Sequence, residues 1–117
     1  MARYLLLVQL LCLTVSVHAS GVLILGDSIS AAYGIEKSAG WVALMDQQLQ
    51  ERCPDYPVIN ASVSGETTAG GKTRLPALLS RHQPELVVIE LGGNDGLRGL
   101  SPMACLLYTS DAADDIP

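Results

Sequence analysis

The sequence predicts an α/β fold in which helices flank a parallel sheet. Three short apolar stretches suited to buried strands alternate with two stretches of helical periodicity, and no two-residue hairpin turn separates them. Strands that alternate with helices pair in parallel through right-handed crossovers. Because helices cover both faces of such a sheet, its strands are near-continuous apolar runs, and residues 86–89 are such a run.

Three strands are predicted from their apolar character. The first covers residues 22–25, the second covers residues 58–61, and the third is "LVVIEL" at residues 86–91. In a parallel sheet the carboxyl ends of the strands lie at one edge, and ligands bind in the crevice beyond that edge. We therefore expect the segments that follow these three strands to form the functional site.

Two helices are predicted between the strands. Residues 38–51 carry apolar side chains with a period of about 3.6 residues. The apolar stripe comprises Trp41, Val42, Leu44, Met45 and Leu49, and the opposite face carries Gln47, Gln48 and Gln50. A polar, glycine-rich turn is predicted over residues 67–71, and a second helix over residues 73–81.

The first 19 residues have the features of a secretory signal peptide. Arg3 precedes an apolar run that is too short to span a membrane, and Val17-His18-Ala19 provides small residues for cleavage. We expect export and a mature amino terminus near Ser20. Residues 105–117 instead resemble the translation of a sequencing adapter and are expected to be non-native, which leaves residues 20–104 as the folded domain.

Composition excludes several classes of function. The chain has 7 basic and 12 acidic residues and a net charge of −5. It has no basic patch, so nucleic acid is not an expected partner. No G-x-G-x-x-G motif follows the first strand, which excludes a dinucleotide-binding unit. Cys53 and Cys105 remain after the signal peptide and do not define a disulfide framework, so Cys53 is expected to be a lone thiol at a helix end.

The first strand leads directly into a candidate nucleophile. In "VLILGDSISAAYG", residues 22–34, Ser28 follows the strand and can place its hydroxyl in the crevice. The alternative is that Asp27 or Ser28 caps a helix. The nucleophile elbow G-x-S-x-G is not met, because Ser30 occupies the position of its second glycine.

The segments after the other two strands carry candidate hydrogen-bond donors. Gly65 lies in "NASVSGET", and Asn94 lies in "ELGGNDG". Taken singly, Gly65 could be a turn glycine of positive φ, and Asn94 or Asp95 could cap a helix. Taken together with the backbone N–H of Ser28, the N–H of Gly65 and the side-chain amide of Asn94 provide three donors for the oxyanion of an acyl-transfer reaction.

The blocks "GDSIS", "NASVSGET" and "ELGGNDGLRG" resemble the first three sequence blocks of the SGNH (GDSL-type) hydrolases. The resemblance covers residues 22–102 and is strongest to bacterial periplasmic thioesterases and lysophospholipases. It implies a three-layer flavodoxin-like sheet, truncated here after the third strand, and a periplasmic location. Ile29 replaces the usual leucine, and Glu66 stands where aspartate is common.

The resemblance also implies roles for individual residues. Ser28 corresponds to the nucleophile, and Gly65 and Asn94 correspond to the oxyanion-hole residues. The implied substrates are small acyl thioesters, lysophospholipids, and simple and aryl esters. No metal, organic cofactor or stable membrane anchor is implied.

The family's Asp-x-x-His block, which supplies the general base, is not found in this chain. His82 precedes the third strand and is expected at the opposite side of the sheet, as a surface histidine at a helix end. We therefore expect this stretch to be an amino-terminal fragment that is inactive alone. The alternative is a secreted, non-catalytic α/β module that binds ligands in the same crevice.

Overall fold

The computed structural model describes residues 20–101 and residue 103. The predicted signal peptide and the predicted non-native tail both lie outside these residues. The elements in chain order are β1 (Val22–Gly26), a 3-10 turn (Lys37–Ala39), α1 (Trp41–Arg52), β2 (Val58–Asn60), α2 (Thr68–His82), β3 (Leu86–Glu90) and α3 (Gly93–Leu97).

The three strands form one parallel sheet in the order β2-β1-β3. Val22 at the start of β1 pairs with Val58 on one side and with Leu86 on the other. β1 is therefore the central strand, and all five of its residues are buried. Among the described residues β3 pairs only with β1, and its first residue, Leu86, is 55% exposed. The predicted parallel sheet is confirmed.

The side chains of β1 alternate between two helices. Leu23 and Leu25 pack against Leu75 of α2 on one face of the sheet. Val22 and Ile24 pack against Val42 of α1 on the other face. Because successive residues of a strand point to opposite faces, this alternation places the two helices on opposite sides of the sheet. The result is the predicted arrangement of three layers.

The predicted turn over residues 67–71 is wrong, because α2 begins at Thr68 and includes Gly70 and Gly71. Thr67 caps the helix by accepting a hydrogen bond from the N–H of Gly70 at 3.1 Å. A Cβ atom at Gly71 would collide with the Leu91 side chain. Glycine is therefore used here for close packing of a helix against the end of β3, and its low helix propensity is overridden.

Two details of α1 also differ from the sequence-based expectation. The helix begins at Trp41, and residues 37–39 form a separate 3-10 turn. Leu44, predicted to lie in the apolar stripe, is 48% exposed. The rest of the stripe packs as expected, with Val42 buried and with Trp41, Met45 and Leu49 around the same cluster. Cys53 is exposed and follows the last turn of α1, as predicted.

His82 lies at the amino-terminal edge of the sheet, opposite the carboxyl edge where the functional site is expected. This residue ends α2, and the chain returns to the sheet where the N–H of Glu85 donates to the carbonyl of Gly21 at 2.9 Å. Gly21 directly precedes β1, so His82 lies toward the edge at which the strands begin. Tyr56 and Glu85 interact at this edge, and the pKa of Tyr56 is raised by burial and by the Glu85 carboxylate.

The packing of Leu75 against β1 predicts a large effect of its truncation. Leu75 has 0% exposure, so Leu75→Ala leaves a cavity beside Leu23 and Leu25. We expect the free energy of unfolding of the complete protein to fall by about 2–5 kcal/mol, measured by urea denaturation. The control Leu44→Ala, at an exposed position of α1, should cost less than about 1 kcal/mol. Equal losses for the two variants would contradict this assignment of the core.

Candidate active site

The segments that follow the three strands leave the sheet at the same edge. β1 and β3 are neighbours in the sheet but are not consecutive in the chain, since β2 intervenes in sequence and lies on the far side of β1. The direction of strand addition therefore reverses between β1 and β3. In open α/β sheets this reversal creates the crevice in which ligands bind.

Ser28 lies at this edge, two residues after the end of β1. Residues 28–34 form consecutive turns and the next helical element begins only at Lys37, so the alternative that Ser28 caps a helix is wrong. The turn is held by Asp27, which is 3% exposed and accepts a hydrogen bond from the N–H of Ile29 at 3.0 Å. The Ser28 hydroxyl is half-buried and makes no hydrogen bond within residues 20–101.

Gly65 lies in the loop between β2 and α2, and this loop contacts the end of β1. The N–H of Val63 donates to the carbonyl of Gly26 at 3.0 Å, which brings the loop beside the segment that carries Ser28. Gly65 has a φ of +83°, a conformation that glycine adopts without strain. Gly65 can therefore be a turn glycine of positive φ and still offer its backbone N–H as a hydrogen-bond donor.

Asn94 lies in α3, directly after β3. Its Nδ2 donates to the carbonyl of Glu66 at 2.9 Å, so the loop after β3 is joined to the loop that carries Gly65. The neighbouring Gly93 approaches Asp27, where a Cβ atom would lie 3.6 Å from Oδ2. The alternative that Asn94 or Asp95 caps the helix is wrong, because the N-cap is Gly92.

Hydrogen bonds within the described part of the fold do not use all of the N–H groups of the three predicted donors. The backbone N–H groups of Ser28 and Gly65 have no hydrogen-bond acceptor in the part of the chain that the structure describes. The amide of Asn94 uses one N–H toward Glu66, and an amide carries two. The segments that carry Ser28, Gly65 and Asn94 therefore lie at one edge, and each has an N–H group without an acceptor among residues 20–101.

Buried polar contacts that the sequence did not reveal support these loops. Asp95 has 0% exposure, and its two carboxylate oxygens accept from the N–H and the hydroxyl of Thr68 at 2.9 and 2.8 Å. Arg74 pairs with Glu66 at 3.0 Å and donates to the carbonyl of Ala61 at 2.9 Å. Asp95 follows a glycine pair after an apolar strand, but its partner Thr68 is too distant in sequence to be recognised from a local pattern.

Other kinds of site were also considered. No group of three or more histidine, cysteine, aspartate or glutamate side chains comes together to hold a metal within residues 20–101. None of the helices in that range has the length and apolar character of a membrane span. A cavity of about 320 Å³ opens between α1 and β2 and is lined in part by Ser30, Asn60 and Ser62, but not by Ser28, Gly65 or Asn94.

Known proteins match both the sequence and the fold. Residues 24–115 match the GDSL-like lipase/acylhydrolase family. The chain is 58% identical to esterase TesA of Pseudomonas aeruginosa, over 80% of this chain and 46% of the relative. It is 54% identical to thioesterase 1/protease 1/lysophospholipase L1 of Escherichia coli K12, over 72% of this chain and 39% of the relative. The chain thus spans less than half of either relative.

A solved structure extends the similarity to three dimensions. The crystal structure of AlinE4, an SGNH-hydrolase family esterase, superimposes with a TM-score of 0.73 at 38% identity, over 82% of this chain and 52% of that one. This similarity and the observed sheet confirm the predicted fold class. The resemblance drawn from the three sequence blocks is confirmed by the family match.

The contacts of Asp95 predict that its charge is needed for stability. In Asp95→Asn one acceptor oxygen becomes an amide nitrogen facing the N–H or the hydroxyl of Thr68. We expect a loss of about 2 kcal/mol in the free energy of unfolding of the complete protein, since hydrogen bonds to charged groups contribute about 1.5–3 kcal/mol. Asp55→Asn is the matched control, because Asp55 is exposed and asparagine tolerates its φ of +69°. An unchanged urea midpoint for Asp95→Asn would contradict this role.

Proposed function

Because the chain belongs to the GDSL-like lipase/acylhydrolase family, we propose that the protein hydrolyses carboxylic esters and thioesters with Ser28 as its nucleophile. The observation that carries the proposal is the meeting of three loops at the carboxyl edge of the sheet. One loop carries an unengaged serine hydroxyl, and all three carry available N–H donors. The relatives named esterase and thioesterase support this reaction class.

The proposed reaction has two steps. Ser28 Oγ forms a bond to the acyl carbon while its proton passes to a general base, and the alcohol or thiol leaves with that proton. Water then attacks the acyl-serine, releases the carboxylic acid and restores the hydroxyl. In both steps the carbonyl oxygen becomes an oxyanion, which the N–H groups of Ser28 and Gly65 and the amide of Asn94 would stabilise.

We propose that the general base lies outside residues 20–101. His82 is the histidine within this range, and it ends α2 at the amino-terminal edge of the sheet. A five-residue strand such as β1 is about 16 Å long, and Ser28 lies beyond its other end. A general base must come within about 3 Å of the hydroxyl, or within one bridging water, so His82 cannot serve Ser28.

The proposed substrates are small acyl esters, including thioesters and lysophospholipids, as the names of the relatives suggest. The mechanism requires no metal or organic cofactor, because the serine, the base and the backbone donors supply the chemistry. The signal-like character of residues 1–19 supports a proposal of export to the periplasm.

Substitution of Ser28 tests the proposal directly. In the complete protein Ser28→Ala should lower kcat for a p-nitrophenyl ester by on the order of 10⁴-fold or more, because no other group replaces the attacking oxygen. Ser38→Ala, at an exposed position of the 3-10 turn, should retain wild-type kcat. Turnover that survives Ser28→Ala would refute the proposed nucleophile.

Substitution of Asn94 tests the oxyanion site separately. Asn94→Ala should lower kcat by on the order of 10²–10³-fold, the typical effect of removing one oxyanion donor. KM should change little, because the donor acts on charge that develops only in the transition state. A variant whose KM rises while kcat is retained would place Asn94 in substrate binding and would contradict the proposal.

A further inference from the structure

A hydrogen-bonded network anchors the turn that carries Ser28, and Ser30 is its centre. Ser30 is 2% exposed, and its hydroxyl donates to Glu90 Oε1 at 2.7 Å. The same oxygen accepts from Trp41 Nε1–H at 3.1 Å. The backbone carbonyl of Ser30 accepts from Asn60 Nδ2 at 2.8 Å. These four residues are called the Ser30 network below.

The partners of Ser30 come from three different elements. Glu90 is the last residue of β3, Asn60 is the last residue of β2, and Trp41 is the first residue of α1. The carboxamide of Asn60 also accepts from the N–H of Ser62 at 3.2 Å, at the start of the loop that carries Gly65. The turn after β1 is thus tied to the ends of the two strands whose following loops carry the proposed oxyanion donors.

The backbone near Ser30 is adapted to this network. A Cβ atom at Gly26 would lie 2.6 Å from Ser30 Oγ and 2.9 Å from Glu90 Oε1, so a side chain there would displace the hydrogen bond between them. Within the turn, the carbonyl of Asp27 accepts from the N–H of Ala31, and the carbonyl of Ser28 accepts from the N–H of Tyr33. These two bonds bracket Ser30, so the turn that joins Ser28 to Ser30 is bonded internally.

We propose that Ser30 and Glu90, with Trp41, are positioning residues that hold the Ser28 hydroxyl in line with the oxyanion donors. This inference rests on the proposed function of Ser28. The Ser28 hydroxyl has no hydrogen-bond partner within residues 20–101, so its placement depends on the turn. A displacement of about 1 Å in a reacting group can cost about 10²-fold in rate, so anchoring of this kind is expected to appear in kcat.

The test compares Ser30→Ala, Glu90→Ala and the double variant of the complete protein, using p-nitrophenyl ester hydrolysis. Each single variant should lower kcat by about 10- to 100-fold with KM within about twofold, because attack geometry is altered and substrate contacts are not. The double variant should lose no more than the poorer single variant, because both remove the same bond. Losses that multiply, or an unchanged kcat, would overturn the inference.

Conservative variants distinguish positioning from a general loss of structure. In Glu90→Gln the amide oxygen can still accept from Ser30, so kcat should stay within about threefold of wild type. Ser80→Ala and Glu51→Ala, at exposed positions of α2 and α1, are matched controls that should leave kcat unchanged. If Ser30→Ala does not fold, Trp41→Phe provides the test, with an expected loss of about three- to tenfold in kcat.

The Trp41 indole reports on the network without any turnover. In the NMR spectrum the indole N–H resonance of Trp41 is the signal that Trp41→Phe removes. Hydrogen exchange of this N–H should be faster in Ser30→Ala than in Ser80→Ala, because Ser30→Ala removes its acceptor. Unaltered exchange would overturn the network. Absence of Ser28-dependent hydrolysis in the wild type would refute the proposed function, whereas Ser28-dependent hydrolysis that is unaffected by Ser30→Ala would refute only this inference.

Discussion

The burial of β1 on both faces and its pairing on both edges set the rest of the structure. Its side chains alternate between the α1 layer and the α2 layer, and its backbone pairs in parallel with β2 and β3. Burial of a large apolar side chain contributes about 1.5–3 kcal/mol, so this strand anchors the three layers together. Because all pairings are parallel, the segments after the three strands must leave at one edge, where the candidate site lies.

Three backbone carbonyls of the loop between β2 and α2 accept hydrogen bonds from side chains. Arg74 binds the carbonyl of Ala61, Arg98 binds that of Gly65 at 3.2 Å, and Asn94 binds that of Glu66. Carbonyl oxygens repel an oxyanion, and N–H groups attract it. These three carbonyls are engaged, while the N–H groups of Ser28 and Gly65 have no acceptor among residues 20–101, which is consistent with the proposed oxyanion site.

The sequence predicted the parts of the fold that depend on local pattern. β1 was recognisable because its apolar run has no polar interruption, and the order of strands and helices then implied a parallel sheet. The sequence does not predict the start of α2, because Gly70 and Gly71 locally indicate a turn, although Gly71 is needed against Leu91. In the sequence Ser30 stands out only as a departure from G-x-S-x-G, since its partner Glu90 lies 60 residues away and no local pattern links them.

The hydrophobic layers alone do not place a hydroxyl, because Ser28 lies beyond the end of its strand and outside the packed core. A turn at such a position needs anchors of its own, and Ser30 has them on β2, β3 and α1. The same β2 and β3 lead into the loops that carry Gly65 and Asn94. In the proposed mechanism the nucleophile and its oxyanion donors are thus positioned by the same two strand ends.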